Sequence, residues 1–353
     1  MSSRFTPAKK GITSALLLTS VLFSTSPFAE IHVSMERKAV DKGVYELAYS
    51  ADQKALFVAS SQGRQDKSGA LYRLDPSSLA VSQSIKTNLK PFGVALNSKT
   101  DTVFLGNTTS SAVTSVDAKT NKVLQELVLD NRPRTEKERP LAPRELVVDE
   151  ATNTLYVGGL GKESVIWVVD GANLTLRHTI EGAGKMATGL AIDAKASRLY
   201  ITNADGEFLT VDTKTDKILS RVKIDNPGEH FYLNISLDTA KHRAFVTDSK
   251  EPSLLVLDTE NGKIIHKIAI PASLAVLFNP ARNEVYVTHR DAGNVSVIDA
   301  TSYKVLETLD IPTHPQSLAI SDDGQTLYVS VKQESSRQKE ATAPDEVVRV
   351  TFK

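Results

Sequence analysis

Seven repeats of one short pattern fill most of this 353-residue chain. In each repeat an aromatic residue lies between aliphatic residues, and a further aliphatic residue stands ten positions before the aromatic one. The aromatic residues are Phe57, Phe104, Tyr156, Tyr200, Phe245, Tyr286 and Tyr328. Repeats of 40–50 residues that contain several short apolar segments are typical of propellers, in which each repeat forms one blade.

The remainder of each repeat predicts two further strands. A β-rich run ends at a repeated aspartate, and another strand follows it. These aspartates are Asp75, Asp117, Asp170, Asp212, Asp258 and Asp299. We interpret them as caps of tight turns, because a catalytic acid would not recur in six blades. The sequence therefore predicts an all-β, seven-bladed β-propeller with four-stranded blades. Residues 34–40 precede the first repeat, and we expect them to close the last blade as its outermost strand.

The first 29 residues have the pattern of an export signal. Arg4, Lys9 and Lys10 precede an apolar run over residues 12–23, which is too short for a membrane span of about 20 residues. We expect residues 1–29 to be a signal peptide, residues 30–353 to be a single propeller domain, and the mature chain to be periplasmic without membrane insertion. The chain has no cysteine, which excludes disulfides and thiolate metal sites.

Basic and aromatic residues are predicted to gather on one side of the propeller. The chain has equal numbers of basic and acidic residues, so binding through net charge alone is not expected. Loops that enter the innermost strands, and loops between second and third strands, should nevertheless share one face. Proteins bind single-stranded nucleic acid by placing cations along its phosphates and stacking aromatic rings on its bases. The predicted nucleic-acid-binding residues are Lys90, Phe92, Arg132, Arg134, Lys137, Arg139, Arg144, Lys162, Lys185, Tyr232, Arg290 and Lys332.

Two other groups of residues on this face suggest different chemistry. His230, His289 and His314 come from three successive repeats and would form a metal site only if they converged. Glu46, Glu145 and Asn234 each precede an innermost-strand aliphatic residue and would lie near the top of the channel. Acid and amide side chains in that position bind a divalent cation in propeller lactonases. We expect no cofactor.

The segment Leu199-Tyr200-Ile201-Thr202-Asn203 is similar to the signature of YVTN repeats. Together with residues 143–146, 161–170 and 279–284, it makes the chain resemble the periplasmic YncE-like members of the YVTN-type seven-bladed β-propeller family. The resemblance implies a periplasmic propeller that binds single-stranded DNA, with no enzymatic activity established. We therefore expect a non-enzymatic binding protein. A scaffold for a periplasmic protein partner and a lactonase-like, metal-dependent hydrolase remain as alternatives.

Overall fold

The repeated apolar segments form buried strands in the computed structural model. The structure describes residue 1 and residues 31–135, 138–336 and 338–353. The predicted signal peptide, residues 1–29, lies outside the described residues except for Met1. β-Branched and aromatic residues favour extended backbone, and the segment Ala55–Ser60 is buried along its whole length.

The described residues form seven four-stranded sheets, each antiparallel throughout. In chain order the first strands are β1 Val33–Asp41, β2 Val44–Ser50, β3 Ala55–Ser60, β4 Gly69–Leu74, β5 Val81–Thr87, β6 Gly93–Asn97, β7 Thr102–Asn107, β8 Ala112–Asp117, β9 Lys122–Val128, β10 Ala142–Asp149, β11 Thr154–Leu160, β12 Ser164–Asp170 and β13 Thr175–Gly184. The others are β14 Gly189–Asp193, β15 Arg198–Thr202, β16 Glu207–Asp212, β17 Lys217–Lys223, β18 Tyr232–Asp238, β19 Arg243–Asp248, β20 Ser253–Asp258, β21 Ile264–Ala269, β22 Val276–Asn279, β23 Glu284–His289, β24 Asn294–Asp299, β25 Val305–Asp310, β26 His314–Ile320, β27 Thr326–Lys332 and β28 Asp345–Phe352.

Helical structure is minimal in the described part of the chain. It consists of two 3-10 turns, Thr108–Ser110 and Thr239–Lys241. Within the described ranges, no helix has the length and apolar character needed to cross a membrane.

Blade 7 combines strands from both ends of the described chain. Blade 1 is β2–β5, and blades 2 to 6 follow in order with four consecutive strands each. Blade 7 has the order β26, β27, β28 and β1. Strand β1 pairs antiparallel with β28 from Val33↔Phe352 to Lys38↔Val347. The prediction that an N-terminal strand closes the last blade is confirmed.

One strand register recurs in all seven blades and explains the fixed spacing in the sequence. The aliphatic residue of each innermost strand pairs with the residue directly after the repeated aromatic one. The pairs are Leu47↔Val58, Val94↔Leu105, Leu146↔Val157, Leu190↔Ile201, Ile235↔Val246, Val276↔Val287 and Leu318↔Val329. A slip by one residue would move each apolar side chain to the other face of its sheet, so the spacing is tightly constrained.

Apolar layers join neighbouring blades. Each of the seven buried clusters among the described residues takes its side chains from two adjacent blades. Between blades 7 and 1, for example, Leu47 and Leu56 of blade 1 share a cluster with Tyr328 and Val347 of blade 7. Sheets covered on both faces need continuous apolar strands, which is why second strands such as β3, β7, β19 and β23 are buried along their whole length.

The repeated aspartates cap turns, as predicted. Each accepts hydrogen bonds from the backbone N–H groups two and three residues later; Asp117, for example, accepts from Lys119 and Thr120 at 2.9 and 2.7 Å. These N–H bonds lower the pKa of the Asp117 carboxyl. The residue four positions after each aspartate has a positive φ, such as 57° at Asn121. Shared geometry in six turns supports a structural role for these acids.

Candidate nucleic-acid interface

Antiparallel pairing determines which loops lie together. In each blade, the loop that enters the innermost strand lies beside the loop that joins the second and third strands. Backbone hydrogen bonds connect the two sets, for example Ala204 N to Lys185 O at 2.8 Å and Ser249 N to Phe231 O at 3.1 Å. We call the side of the propeller formed by these two sets of loops the loop face. All the described residues predicted to bind nucleic acid lie in these loops or at the strand ends beside them.

Four of the predicted cations are exposed on the loop face, and a fifth, Arg132, is exposed but ion-paired. Arg134 and Arg139 lie between β9 and β10, Lys162 lies between β11 and β12, and Lys185 lies between β13 and β14. Exposed cations can contact a polyanion without first losing a buried partner. Lys137 belongs to the same segment as Arg134 and Arg139 but lies outside the described residues.

Arg132 has a structural role in that segment. Its guanidinium binds Asp130 at 2.6 Å and Glu138 at 2.9 Å. Its hydrogen bonds lower the pKa of Asp130 to about 2. Asp130 also accepts a hydrogen bond from Leu141 N at 2.7 Å, which ties the two ends of the segment together. The two carboxylates offset the charge of Arg132, but its side chain is 44% exposed, and its contact with nucleic acid stays a prediction.

Lys332 is also structural. It is 8% exposed and forms an ion pair with Asp345 at 2.9 Å. Its ammonium donates to Val44 O at 3.1 Å and lies 4.0 Å from the centre of the Tyr45 ring. These contacts join blade 7 to blade 1 and leave the ammonium inaccessible to a phosphate. The sequence did not indicate this pairing, because the partner Asp345 belongs to a later strand of the same blade.

Tyr232 is buried as well. It is 0% exposed, its hydroxyl accepts a hydrogen bond from Asn226 Nδ2 at 3.1 Å, and its ring stacks on His230 at 5.2 Å. A base cannot reach either face of this ring, so Tyr232 is not a stacking platform. Burial also raises its hydroxyl pKa to about 12.

Lys90 and Arg290 are half-buried and bound to neutral oxygens. Lys90 Nζ donates to Gly63 O at 2.6 Å, and Arg290 Nη1 donates to Gln316 Oε1 at 2.9 Å. These partners position the two cations without offsetting their charge. Both residues therefore add to the positive potential of the loop face.

An aromatic and cationic cluster marks the mouth of the channel. The rings of Tyr45 and Phe92 are 4.6 Å apart at 54°, and the Arg144 guanidinium lies 5.8 Å from the centre of the Tyr45 ring. Both rings are half-buried. Phe92 and Arg144 were predicted site residues, whereas Tyr45 was missed. The signal for Tyr45 was available in the sequence, because it directly precedes Glu46 at the same end of the innermost strand.

Below this cluster, the innermost strands surround a cavity of about 430 Å³. Its lining includes Glu46, Arg144, Glu145, Asn234 and Gln316, so the predicted acid and amide groups do share the channel. Arg144 Nη1 lies 3.4 Å from Glu46 Oε1. Burial, with the nearby Glu46 charge, raises the Glu145 pKa well above its ordinary value, while Arg144 opposes the shift. A guanidinium thus stands where a divalent cation would be expected in a hydrolase.

The three histidines do not converge. His289 is buried and bonded to Ser296 Oγ at 2.8 Å, and burial lowers its pKa. His314 contacts Glu334 at 3.0 Å, and His230 contacts Asp248 at 2.6 Å. Among residues 31–135, 138–336 and 338–353, no three histidine or acidic side chains are grouped to hold a metal. The three-histidine hypothesis therefore has no geometric support.

A second cavity, which we call the blade 4–5 pocket, opens on the loop face between blades 4 and 5. It has a volume of about 560 Å³, and its lining includes Lys185, Lys223, Lys250 and Phe231. Lys223 and Lys250 were not predicted as site residues. Lys223 is the last residue of β17, and Lys250 follows the end of β19. Antiparallel pairing places both at the same edge of their sheets as Lys185.

Comparisons with known proteins agree with this architecture. A family model described as YNCE-like beta-propeller matches residues 47–350. The chain belongs to this family. It is 60% identical over 350 residues to a protein of Salmonella typhimurium, and this match covers 99% of this chain and 98% of the relative. It is 60% identical over 340 residues to a protein of Escherichia coli K12, with 96% of each chain covered. Both relatives have the name "Uncharacterized protein YncE".

Similarity of fold extends beyond the YncE-like family. A crystal structure of RRP9 WD40 repeats superposes with a TM-score of 0.74 at 14% identity. The superposition covers 92% of this chain and 100% of that one. At this identity the similarity shows the propeller fold alone.

Proposed function

We propose that this YncE-like propeller is a non-enzymatic periplasmic protein that binds single-stranded DNA on its loop face. The observation that carries the proposal is an arc of exposed cations across blades 3 to 5, with aromatic rings beside it. The cations are Arg134, Arg139, Lys162, Lys185, Lys223 and Lys250. The rings are Tyr45 and Phe92 at the channel mouth and Phe231 in the blade 4–5 pocket.

The arrangement suits a flexible single strand better than a duplex. The cations come from separate loops, and exposed carboxylates alternate with them, including Glu138, Glu163 and Asp205. A single strand can bend its backbone to reach scattered cations and turn its bases onto rings. Each stacked base contributes about 1–3 kcal/mol, so few phosphate contacts are needed.

The test is fluorescence anisotropy with a labelled oligothymidylate over a range of salt concentrations. Each phosphate contact on a single strand contributes about −0.7 to the slope of log K against log[salt]. The triple variant Arg134→Ala, Arg139→Ala, Lys162→Ala should bind at least about tenfold more weakly and lose about 2 from the magnitude of this slope.

A matched control removes three exposed lysines from the opposite side of the propeller. Lys99, Lys195 and Lys214 lie in loops at the other ends of the strands. Their replacement by alanine changes the net charge equally and should leave affinity unchanged. Equal losses in the two triple variants, or no binding at low salt, would refute the proposal. Binding of a protein partner with little salt dependence would instead favour the scaffold alternative.

The periplasmic location can be tested separately. Mass spectrometry of protein released by osmotic shock should give a chain shortened by the 29 residues of the expected signal peptide. Full-length protein retained in the cytoplasm would contradict the proposed location without affecting the binding proposal.

A further inference from the structure

We propose that the blade 4–5 pocket is a binding site for one nucleoside phosphate. Its link to DNA rests on the proposed function, in which the pocket would hold one nucleotide of the bound strand. Binding of a free nucleotide can be measured independently of that function. Three features support the inference: size and charge, an apolar wall, and a rigid frame.

The pocket has the size and charge for a nucleotide. Its volume of about 560 Å³ falls within the range of about 300–1,000 Å³ usual for small-molecule sites. Lys185, Lys223 and Lys250 reach it from three different segments, and all three are exposed. Lys223 Nζ donates to the backbone carbonyl of Asp205, which leaves its charge uncompensated by that contact. Three ammonium groups around one cavity suit a phosphate, which accepts several charge-assisted hydrogen bonds.

The acidic residues in the lining distinguish a nucleotide from a simple anion. Asp205 and Glu229 also face the pocket. Asp205 Oδ2 accepts a hydrogen bond from Lys185 N at 2.7 Å, which fixes the carboxylate at the pocket edge. Carboxylates repel phosphate but accept hydrogen bonds from hydroxyl, imide and amino groups. The mixture therefore favours a ligand that combines an anionic group with hydrogen-bond donors, as a nucleotide does.

The apolar part of the lining offers a surface for a flat ring. Phe231 is partly exposed in the pocket, and Met186 and Ile224 lie in the same lining. Ring stacking on phenylalanine tolerates every base, because each base has a π face. Methionine adapts its shape and makes favourable contacts with aromatic rings. Phosphate and base thus find separate surfaces within one cavity.

A single buried carboxylate, that of Asp248, holds the backbone of Phe231 and of Lys250 in place. Asp248 is 0% exposed, and its Oδ1 accepts from Phe231 N at 3.1 Å and from Lys250 N at 2.9 Å. Its Oδ2 lies 2.6 Å from His230 Nδ1. His230 Nε2 lies 2.8 Å from Asn226 O. The His230 imidazole therefore lies between two oxygen atoms and connects the loop that contains Asn226 to Asp248. A pocket built in advance loses less conformational entropy when a ligand binds.

The experiment measures binding of thymidine 5′-monophosphate by isothermal titration calorimetry, with thymidine and inorganic phosphate as separate probes. The double variant Lys185→Ala, Lys250→Ala should weaken nucleotide binding about tenfold, because charge-assisted hydrogen bonds are lost. Phe231→Leu, which keeps apolar bulk, should weaken it about threefold. The control Lys195→Ala, Lys214→Ala removes two opposite-face lysines and should have no effect.

The outcomes separate this inference from the proposed function. If the oligonucleotide binds but thymidine 5′-monophosphate does not, and Lys185→Ala, Lys250→Ala leaves oligonucleotide affinity unchanged, the pocket assignment is overturned and the function stands. If the mononucleotide binds and the oligonucleotide does not, the pocket is a free-nucleotide site and the DNA proposal fails. Inorganic phosphate binding as tightly as the nucleotide would overturn the role of the ring.

Discussion

Replacing Lys332 with methionine should loosen the junction between blades 7 and 1 without changing the exposed cations of the loop face. The substitution keeps a long apolar side chain but removes the ammonium. That group binds Asp345 at 2.9 Å and Val44 O at 3.1 Å, and it lies over the Tyr45 ring. The side chains of Lys332 and Asp345 are 10% and 4% exposed, so solvent cannot replace the lost contacts.

The expected loss of stability follows from what Asp345 retains. Removing one partner of a buried ion pair costs about 3–5 kcal/mol, because the other charge stays buried. Asp345 still accepts from Val44 N at 3.0 Å and Gln333 N at 2.7 Å. We therefore expect the lower end, about 3 kcal/mol. With about 2.1 cal/mol/K of unfolding entropy per residue, this loss lowers the Tm of a domain of this length by about 4–5 °C.

Urea unfolding followed by tryptophan fluorescence measures this loss. The single tryptophan of the chain, Trp167, is buried in blade 3 at 3% exposure. A change at the junction of blades 7 and 1 reaches Trp167 only if the ring of blades unfolds cooperatively. Lys195→Met, at an exposed lysine on the opposite face, is the control and should change stability by no more than about 0.5 kcal/mol.

A double-mutant cycle separates the ion pair from general packing. We expect Lys332→Met and Asp345→Asn to be coupled by about 2 kcal/mol, within the range for residues in direct contact. Additive effects would refute the ion-pair argument. Oligonucleotide affinity should remain unchanged in Lys332→Met, and a tenfold loss would show that the ammonium contacts the ligand after all.

Two further predictions concern the core and the channel. Gly159→Ala should destabilise the protein by about 1–3 kcal/mol through overpacking, because an added Cβ would lie 2.6 Å from the Trp167 ring; an unchanged urea midpoint would contradict this. Glu145→Gln should change the pH dependence of stability. The folded-state pKa of Glu145 is raised above its ordinary value of 4.5, so its stabilising contribution is complete below the unfolded pKa and is lost as pH rises through the folded pKa. The variant should therefore gain stability relative to wild type as pH rises above about 4.5, and parallel curves would refute the assignment.

The fold was predictable because its determinants are local and repeated. The ten-residue offset between Leu47 and Phe57, found again in every repeat, reflects a register that each blade must keep. The unusual strand β1 was predictable too, because the last blade needed a fourth strand. In a sheet, the spacing of apolar residues determines which residues of two strands pair, so the strand register can be read from the sequence.

The binding residues of the loop face were less predictable. The repeat determines where the backbone of each loop lies, but it does not determine which groups the side chains contact. Lys332 and Arg290 both stand four residues after the aromatic residue of their repeats, yet Lys332 pairs with the buried Asp345 carboxylate and Arg290 donates to the Gln316 side-chain oxygen. Tyr232 was assigned to a loop but begins a strand and is buried. Lys332 and Asp345 lie on either side of the connection between β27 and β28, and no spacing rule of the repeat describes their pairing.

The pairing of β1 with β28 also has a consequence for biosynthesis. Strand β1 emerges from the ribosome roughly 300 residues before its partner, so the ring stays open until β28 has been made. Closing so long a stretch of chain carries a high entropic cost, which makes this pairing a late event in folding. Until β28 is available, β1 and β27 both carry unpaired backbone edges, so the insertion of β28 protects two edges of blade 7 in a single step.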